Sequence, residues 1–206
     1  YCGENNIHLI VSGLGTDTGY LIEDTVTFSY RGLNVSFVGG AYLKPVDETL
    51  LNPVFIGGTN QPTRMFLSRL KVDRVTYNDT TENCGFTFLE CNQSTFEDFE
   101  SRESKYNTYA NPTTGGFAYN LFDNLQNVGG FYNIYMKSDG GFANENKFVG
   151  GRCFGRANLD THVYLDGGEV NRNTFLSMSA EGAGNQAFYI NAGSNVIIYP
   201  RTEGSW

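Results

Sequence analysis

Four stretches decide how this chain is read: 106–122 "YNTYANPTTGGFAYNLF", 132–148 "YNIYMKSDGGFANENKF", 162–175 "HVYLDGGEVNRNTF" and 187–197 "AFYINAGSNVI". Each passes from a Tyr-bearing strand through a Gly-containing turn to Asn, any residue, and a large apolar residue. Self-similarity at a period of roughly 20 to 50 residues is the mark of a repeat architecture. In register, the four stretches place Asn120, Asn146, Asn173 and Asn195 at spacings of 26, 27 and 22 residues, each two before Phe122, Phe148, Phe175 or Ile197. Residues two apart on a strand share a face, so if the Phe and Ile side chains point inward, the Asn side chains do too. A buried amide is costly unless it is paired. Stacked on successive coils, the amides can bond one another as an Asn ladder, so the repetition supplies the partner. Ser94, 26 residues before Asn120 and two before Phe96, is expected to begin the column.

Unequal spacing excludes a helical repeat of fixed length, whereas strand alternation and Gly turns favour a β-coil whose loops vary. A β-sandwich of regular strands is the alternative. Earlier phrases fit coils as well: "VSFVGG" (35–40) and "PVFIGG" (53–58) repeat a strand-turn unit, and "TVTFSY" (25–30) and "RVTYND" (74–79) supply further strands. The expected fold is therefore all-β, a parallel β-helix of about eight coils, forming a single domain over 1–206 or a piece of a longer protein.

Composition narrows the partners. A net charge of −8 with no Lys/Arg cluster disfavours nucleic acid. No run of 18 apolar residues is present, so no membrane-spanning helix is expected. Cys2, Cys84, Cys91 and Cys153 lack the paired spacing of a zinc site and read as free, mostly buried thiols; neither metal nor cofactor is expected.

The Asn ladder, the opening "NVSFVGGAYLKP" from Asn34 and the irregular coil lengths resemble right-handed parallel β-helix proteins of the pectate-lyase-like type, the architecture of pectin-degrading enzymes and bacteriophage tailspikes. The resemblance covers the chain from about Leu33 onward. The Tyr-, Asn- and Gly-rich composition brings the phage side nearer. It implies a homotrimer on the virion tail, extracellular though made in the host cytoplasm, that binds and often cleaves bacterial surface polysaccharide such as capsule or O-antigen.

Two residue columns can carry such chemistry. Tyr109, Tyr135, Tyr164 and Tyr189 each follow an inward position and should face outward, with coils ~4.8 Å apart. Sugar C–H faces would pack on their rings, with His162 and Asp166 beside Tyr164, and Asn133 and Lys137 beside Tyr135, on the same strand face. A structural stack or a protomer interface is the competing reading. The second column follows the inward Phe: Glu97 and Asp123 on adjacent coils, with Glu100 nearby. Glycosidases need two carboxylates ~5–5.5 Å apart for retention or ~6.5–9.5 Å for inversion, so Glu97, Glu100 and Asp123 are the candidate catalytic residues of an endoglycosidase. "FEDFESRES" is also ordinary as a solvated charge run. The continuation of that column, Val149, Leu176 and Ile198, forms an outward apolar stripe suited to a trimer interface. A lyase would instead use His162, Tyr164 and Arg152. Non-catalytic glycan binding and a structural shaft complete the alternatives.

Overall fold

In the computed structural model, the described residues are 8–13, 19–47, 49–58, 61–74, 81–155 and 161–204. Cys2 and most of "RVTYND" lie outside them. Alternation of buried and exposed residues, interrupted every few positions by a corner, folds the chain into a parallel β-solenoid of about 7 turns, with no helix among the described residues. The first sheet stacks His8–Ser12, Asn34–Val38, Phe66–Ser68, Thr95–Glu97, Leu121–Asp123, Lys147–Val149, Thr174–Leu176 and Val196–Ile198. The second stacks Gly19–Ile22, Tyr42–Pro45, Lys71–Asp73, Glu100–Arg102, Gln126–Val128, Arg152–Phe154, Ser179–Glu181 and Arg201–Glu203. The third runs from Val26–Phe28 through Val54–Ile56, Cys84–Phe88, Tyr106–Ala110, Tyr132–Lys137 and Thr161–Asp166 to Gln186–Asn191. Cys91–Asn92, Gly116–Ala118 and Phe142–Asn144 make a short fourth sheet.

Every strand pairs in parallel with its counterpart one coil away, so equivalent positions superpose into columns. In the first sheet Phe96, Phe122, Phe148 and Phe175 form the buried column; Phe122 and Phe148 stack at 4.6 Å, and Phe148 and Phe175 at 4.7 Å. The Asn ladder lies at the corner before it. Asn146 Oδ1 accepts from the backbone N–H (3.1 Å) and side-chain Nδ2 (2.9 Å) of Asn120, and Asn146 donates in the same way to Asn173 Oδ1. Asn173 repeats the pattern with Asn195, and Ser94 opens the column by donating its N–H to Asn120 Oδ1. Each Nδ2 also donates to a carbonyl of the preceding corner, Phe117 O for Asn146 and Ala143 O for Asn173.

What shapes the corner is not glycine. The residue preceding each ladder position, Gln93, Tyr119, Glu145, Arg172 or Ser194, adopts φ between +54° and +58°. A second set, Asp98, Asn124, Gly150 and Ser177, is left-handed as well, with φ between +53° and +62°, where the first sheet turns into the second. Such a left-handed residue costs a non-Gly side chain ~1–3 kcal/mol; in the first set the ladder bonds of the following Asn, or of Ser94 after Gln93, offset it.

Cys84, Cys91 and Cys153 are free and buried, as expected. Burial pushes the Cys84 thiol up to about 11 and the Cys91 thiol up to about 12, which leaves both inert as nucleophiles.

Candidate functional site: the tyrosine face of the third sheet

The third sheet carries two tyrosine columns where the sequence registers one. Tyr109, Tyr135, Tyr164 and Tyr189 are register partners, and all four are half-buried on the outer face. Their rings stack at 5.7, 4.8 and 4.5 Å, with interplanar angles of 29°, 2° and 13°. Tyr106 and Tyr132, 26 residues apart, form the second column, stacked at 5.5 Å. The columns interlock edge to face, Tyr132 lying 5.0 Å from Tyr135 and 5.2 Å from Tyr164. Equal spacing with the Asn ladder is the signal that reveals Tyr106 and Tyr132.

This packing alters what the rings can offer. Near-parallel neighbours less than 5 Å apart cover both faces of Tyr164 and one face of Tyr135, whose other side meets the more tilted Tyr109, so these rings present mainly edges and hydroxyls to sugar C–H groups. At the ends of the longer column, Tyr109 and Tyr189 each have a stacked ring on one side among the described residues, and the Tyr106 ring also approaches Tyr109, tilted by 44° at 5.3 Å. Burial, followed by the charges of Tyr164 and other neighbours, raises the Tyr135 hydroxyl; burial, followed by Asp166, raises that of Tyr164. Both therefore hold their protons through neutral pH and act as donors and acceptors, not as bases. Around them, Lys137 Nζ pairs with Asp139 at 2.6 Å, Asn111 donates to Asp139 at 2.9 Å, and Asn191 donates to Asp166 at 2.8 Å. Asp166 and Lys137 stand outward, as expected.

His162 and Asn133 do not share that face. Both are fully buried. In the strand Tyr132–Lys137 two consecutive residues, Asn133 and Ile134, point inward, so strict alternation fails at this corner. The inward residues build a second ladder. Ser101 Oγ donates to Asn107 Oδ1 at 3.0 Å, Asn107 Nδ2 donates to Asn133 Oδ1 at 2.7 Å, and Asn133 Nδ2 lies 2.7 Å from His162 Nδ1. Because Asn133 Oδ1 already accepts from Asn107, its Nδ2 must donate to His162. His162 Nδ1 is thus the acceptor, and Nε2–H donates to Glu181 O at 3.0 Å. Burial drives the imidazole down to about 4, against the raising effect of Glu181. The expectation of His162 at the glycan surface is corrected accordingly, and the set His162, Tyr164 and Arg152 is not brought together: Arg152 lies on the second sheet, ion-paired to Glu181 at 2.7 Å.

Glu97 and Asp123 are Cα partners on adjacent strands of the first sheet, in a column continued by Val149, Leu176 and Ile198. Glu100 sits around the corner on the second sheet, 3.7 Å from Lys71 and bonded to Arg102. It lines an open pocket of 380 Å³ with Arg69, Lys71 and Asp98, which Glu97 and Asp123 do not reach. Among the described residues, no three of His, Cys, Asp and Glu converge as metal ligands would.

Comparisons with protein-family models, curated proteins and solved structures return no match to this chain.

Proposed function

We propose that this chain is a glycan-binding β-solenoid of the tailspike type, which recognises bacterial surface polysaccharide along the tyrosine face of its third sheet. The observation that carries the reading is the six-ring surface itself: a rigid strip of hydroxyls and ring edges along the coil axis, bordered by Lys137, Asp139, Asn111, Asp166 and Asn191. A repeated polymer matches a repeated surface, and rigid aromatic side chains lose little entropy on binding. The parent assembly is a homotrimer of right-handed coils on a virion tail. The handedness follows the general preference of parallel crossovers, and the half-exposed stripe Val149, Leu176 and Ile198 supplies an apolar contact for neighbouring protomers.

Hydrolysis is the second reading, favoured by one observation: Glu97 and Asp123 are register partners, and adjacent strands ~4.8 Å apart bring outward carboxyl groups into the range of a retaining pair.

Titration of capsule and O-antigen polysaccharides against the parent protein and the variants Tyr135→Ala and Tyr164→Ala tests the binding reading. Each ring removed should weaken affinity about tenfold, equivalent to ~1.4 kcal/mol. Unchanged affinity in both variants would return the tyrosines to a purely structural stack.

A further inference from the structure

The tyrosine columns begin abruptly. One coil before Tyr109 the register position belongs to Thr87, and one coil before Tyr106 it belongs to Cys84, so the rings stop against small side chains. The Thr87 hydroxyl donates to Asn52 Oδ1 at 2.7 Å, which fixes the Asn52 amide beside the end of the stack and leaves Nδ2 as its donor. Here a 280 Å³ open pocket surrounds Tyr109, with Asn52, Glu82 and Cys84 on one side and Tyr135 and Lys137 on the other. Tyr106 also lines it, but the Lys105 ammonium lies over that ring, 5.5 Å from its centroid. Tyr109, which Tyr106 meets only at a tilt of 44° and 5.3 Å, has no stacked ring on its Thr87 side.

The polar groups define what can cover it. Glu82 is ion-paired to Lys105 and accepts the Tyr106 hydroxyl at 2.7 Å, while Lys137 is held by Asp139. Both charges of the pocket are thus already balanced from outside it. A ligand that brought its own carboxylate would face Glu82, while Lys137 already has Asp139 as its counter-charge and keeps N–H groups for neutral acceptors. A neutral ring with one apolar face and several hydroxyls meets the whole set: Tyr109 for the C–H face, Asn52 Nδ2 and Lys137 as donors, Glu82 as acceptor.

We infer that this pocket is a subsite for one neutral pyranose unit, packed on Tyr109 from its Thr87 side so that the sugar continues the aromatic column. This rests on the reading of the third sheet as a polysaccharide surface, and adds to it the position and charge class of one unit.

The test uses saturation-transfer NMR on the intact chain. The probes are the methyl glycosides of glucose, galactose and N-acetylglucosamine, with methyl glucuronide as the acidic comparison. At least one neutral glycoside should bind, and its signal should fall at least fivefold in Asn52→Trp, which fills the pocket, and in Tyr109→Val. Tyr189→Ala, at the far end of the column, should leave it within twofold. Because Asn52 holds Thr87, a melting curve accompanies each variant. Glu82→Gln, on the exposed rim, removes the charge without touching that contact and should lower the signal at least threefold. The subsite is overturned if neutral glycosides give no signal, if their signals survive in the folded pocket variants, or if the glucuronide binds better than all of them. When that happens while polysaccharide affinity still depends on Tyr135 and Tyr164, only the subsite fails. Polysaccharide affinity indifferent to every one of these tyrosines removes both readings.

Discussion

His162 behaves as a rung of a ladder, and its chemistry follows from that position. Its folded-state pKa is depressed from 6.5 to about 4 by burial. The unfolded chain therefore takes up a proton at a pH where the native imidazole refuses one. Stability is fully present above pH 6.5 and is lost as pH falls from there toward 4, at up to ~1.4 kcal/mol per pH unit and ~3 kcal/mol in all. Urea midpoints measured between pH 7.5 and 4 should show this slope, and His162→Gln should flatten it; equal slopes in both proteins would contradict the buried neutral imidazole. In the first ladder, Asn146→Leu removes the acceptor of Asn120 N–H and Nδ2 and the donor to Phe117 O. About 3 kcal/mol should be lost, because buried groups are left without partners. A loss under ~1 kcal/mol in denaturant unfolding would mean that the neighbouring amides find other partners.

At the scale of elements, the first sheet draws its cohesion from the phenylalanine stack, and the longer loops draw theirs from single buried groups. Phe148 stacks between Phe122 and Phe175 and is almost completely buried. Phe148→Ala should therefore cost ~3–5 kcal/mol, since a rigid parallel stack cannot collapse into the cavity. Thermal unfolding of that variant reads the effect directly. The loop at 111–115 hangs on Glu90, whose Oε1 accepts from Thr114 N (3.2 Å), Thr114 Oγ1 (3.1 Å) and Gly115 N (3.3 Å). Burial pushes this carboxyl up, but bonds from its own backbone, Thr114 and Gly115 outweigh it and hold the group below the ordinary Glu value. Glu90→Ala should destabilise by ~2–3 kcal/mol and open the loop to proteolysis, whereas a protease-resistant variant would show that the loop is held by its strands alone.

At the scale of the whole molecule, assembly and turnover can be separated. Leu176 stands half-exposed between Val149 and Ile198 in the outward column. In a trimer closed over this stripe, Leu176→Asp buries an unpaired charge and should shift light scattering toward monomer. An unchanged oligomer, or a parent that is already monomeric, removes the stripe from the interface. If Glu97 and Asp123 hydrolyse glycan, Glu97→Gln or Asp123→Asn should cut the release of reducing ends at least ~100-fold with affinity retained. Parental turnover in either variant ends that assignment.

The repeat by itself determined the parallel coil, the first ladder, the phenylalanine stack and the outer tyrosine column. All four depend on period and parity, which a string of residues records directly: Asn146 and Phe148, two apart, must share a face wherever the strand is regular. What only the tertiary structure decided lies where parity breaks or where separate coils meet. Asn133 and Ile134 are both buried because a corner places two consecutive residues inside, and this turned His162 from a surface candidate into a core acceptor. Left-handed Tyr119 and Glu145 carry no glycine signal, since the bonds that stabilise them come from residues a coil away. The stack likewise ends at Tyr109 beside Asn52 and Glu82, residues brought to it only by the closing of successive turns.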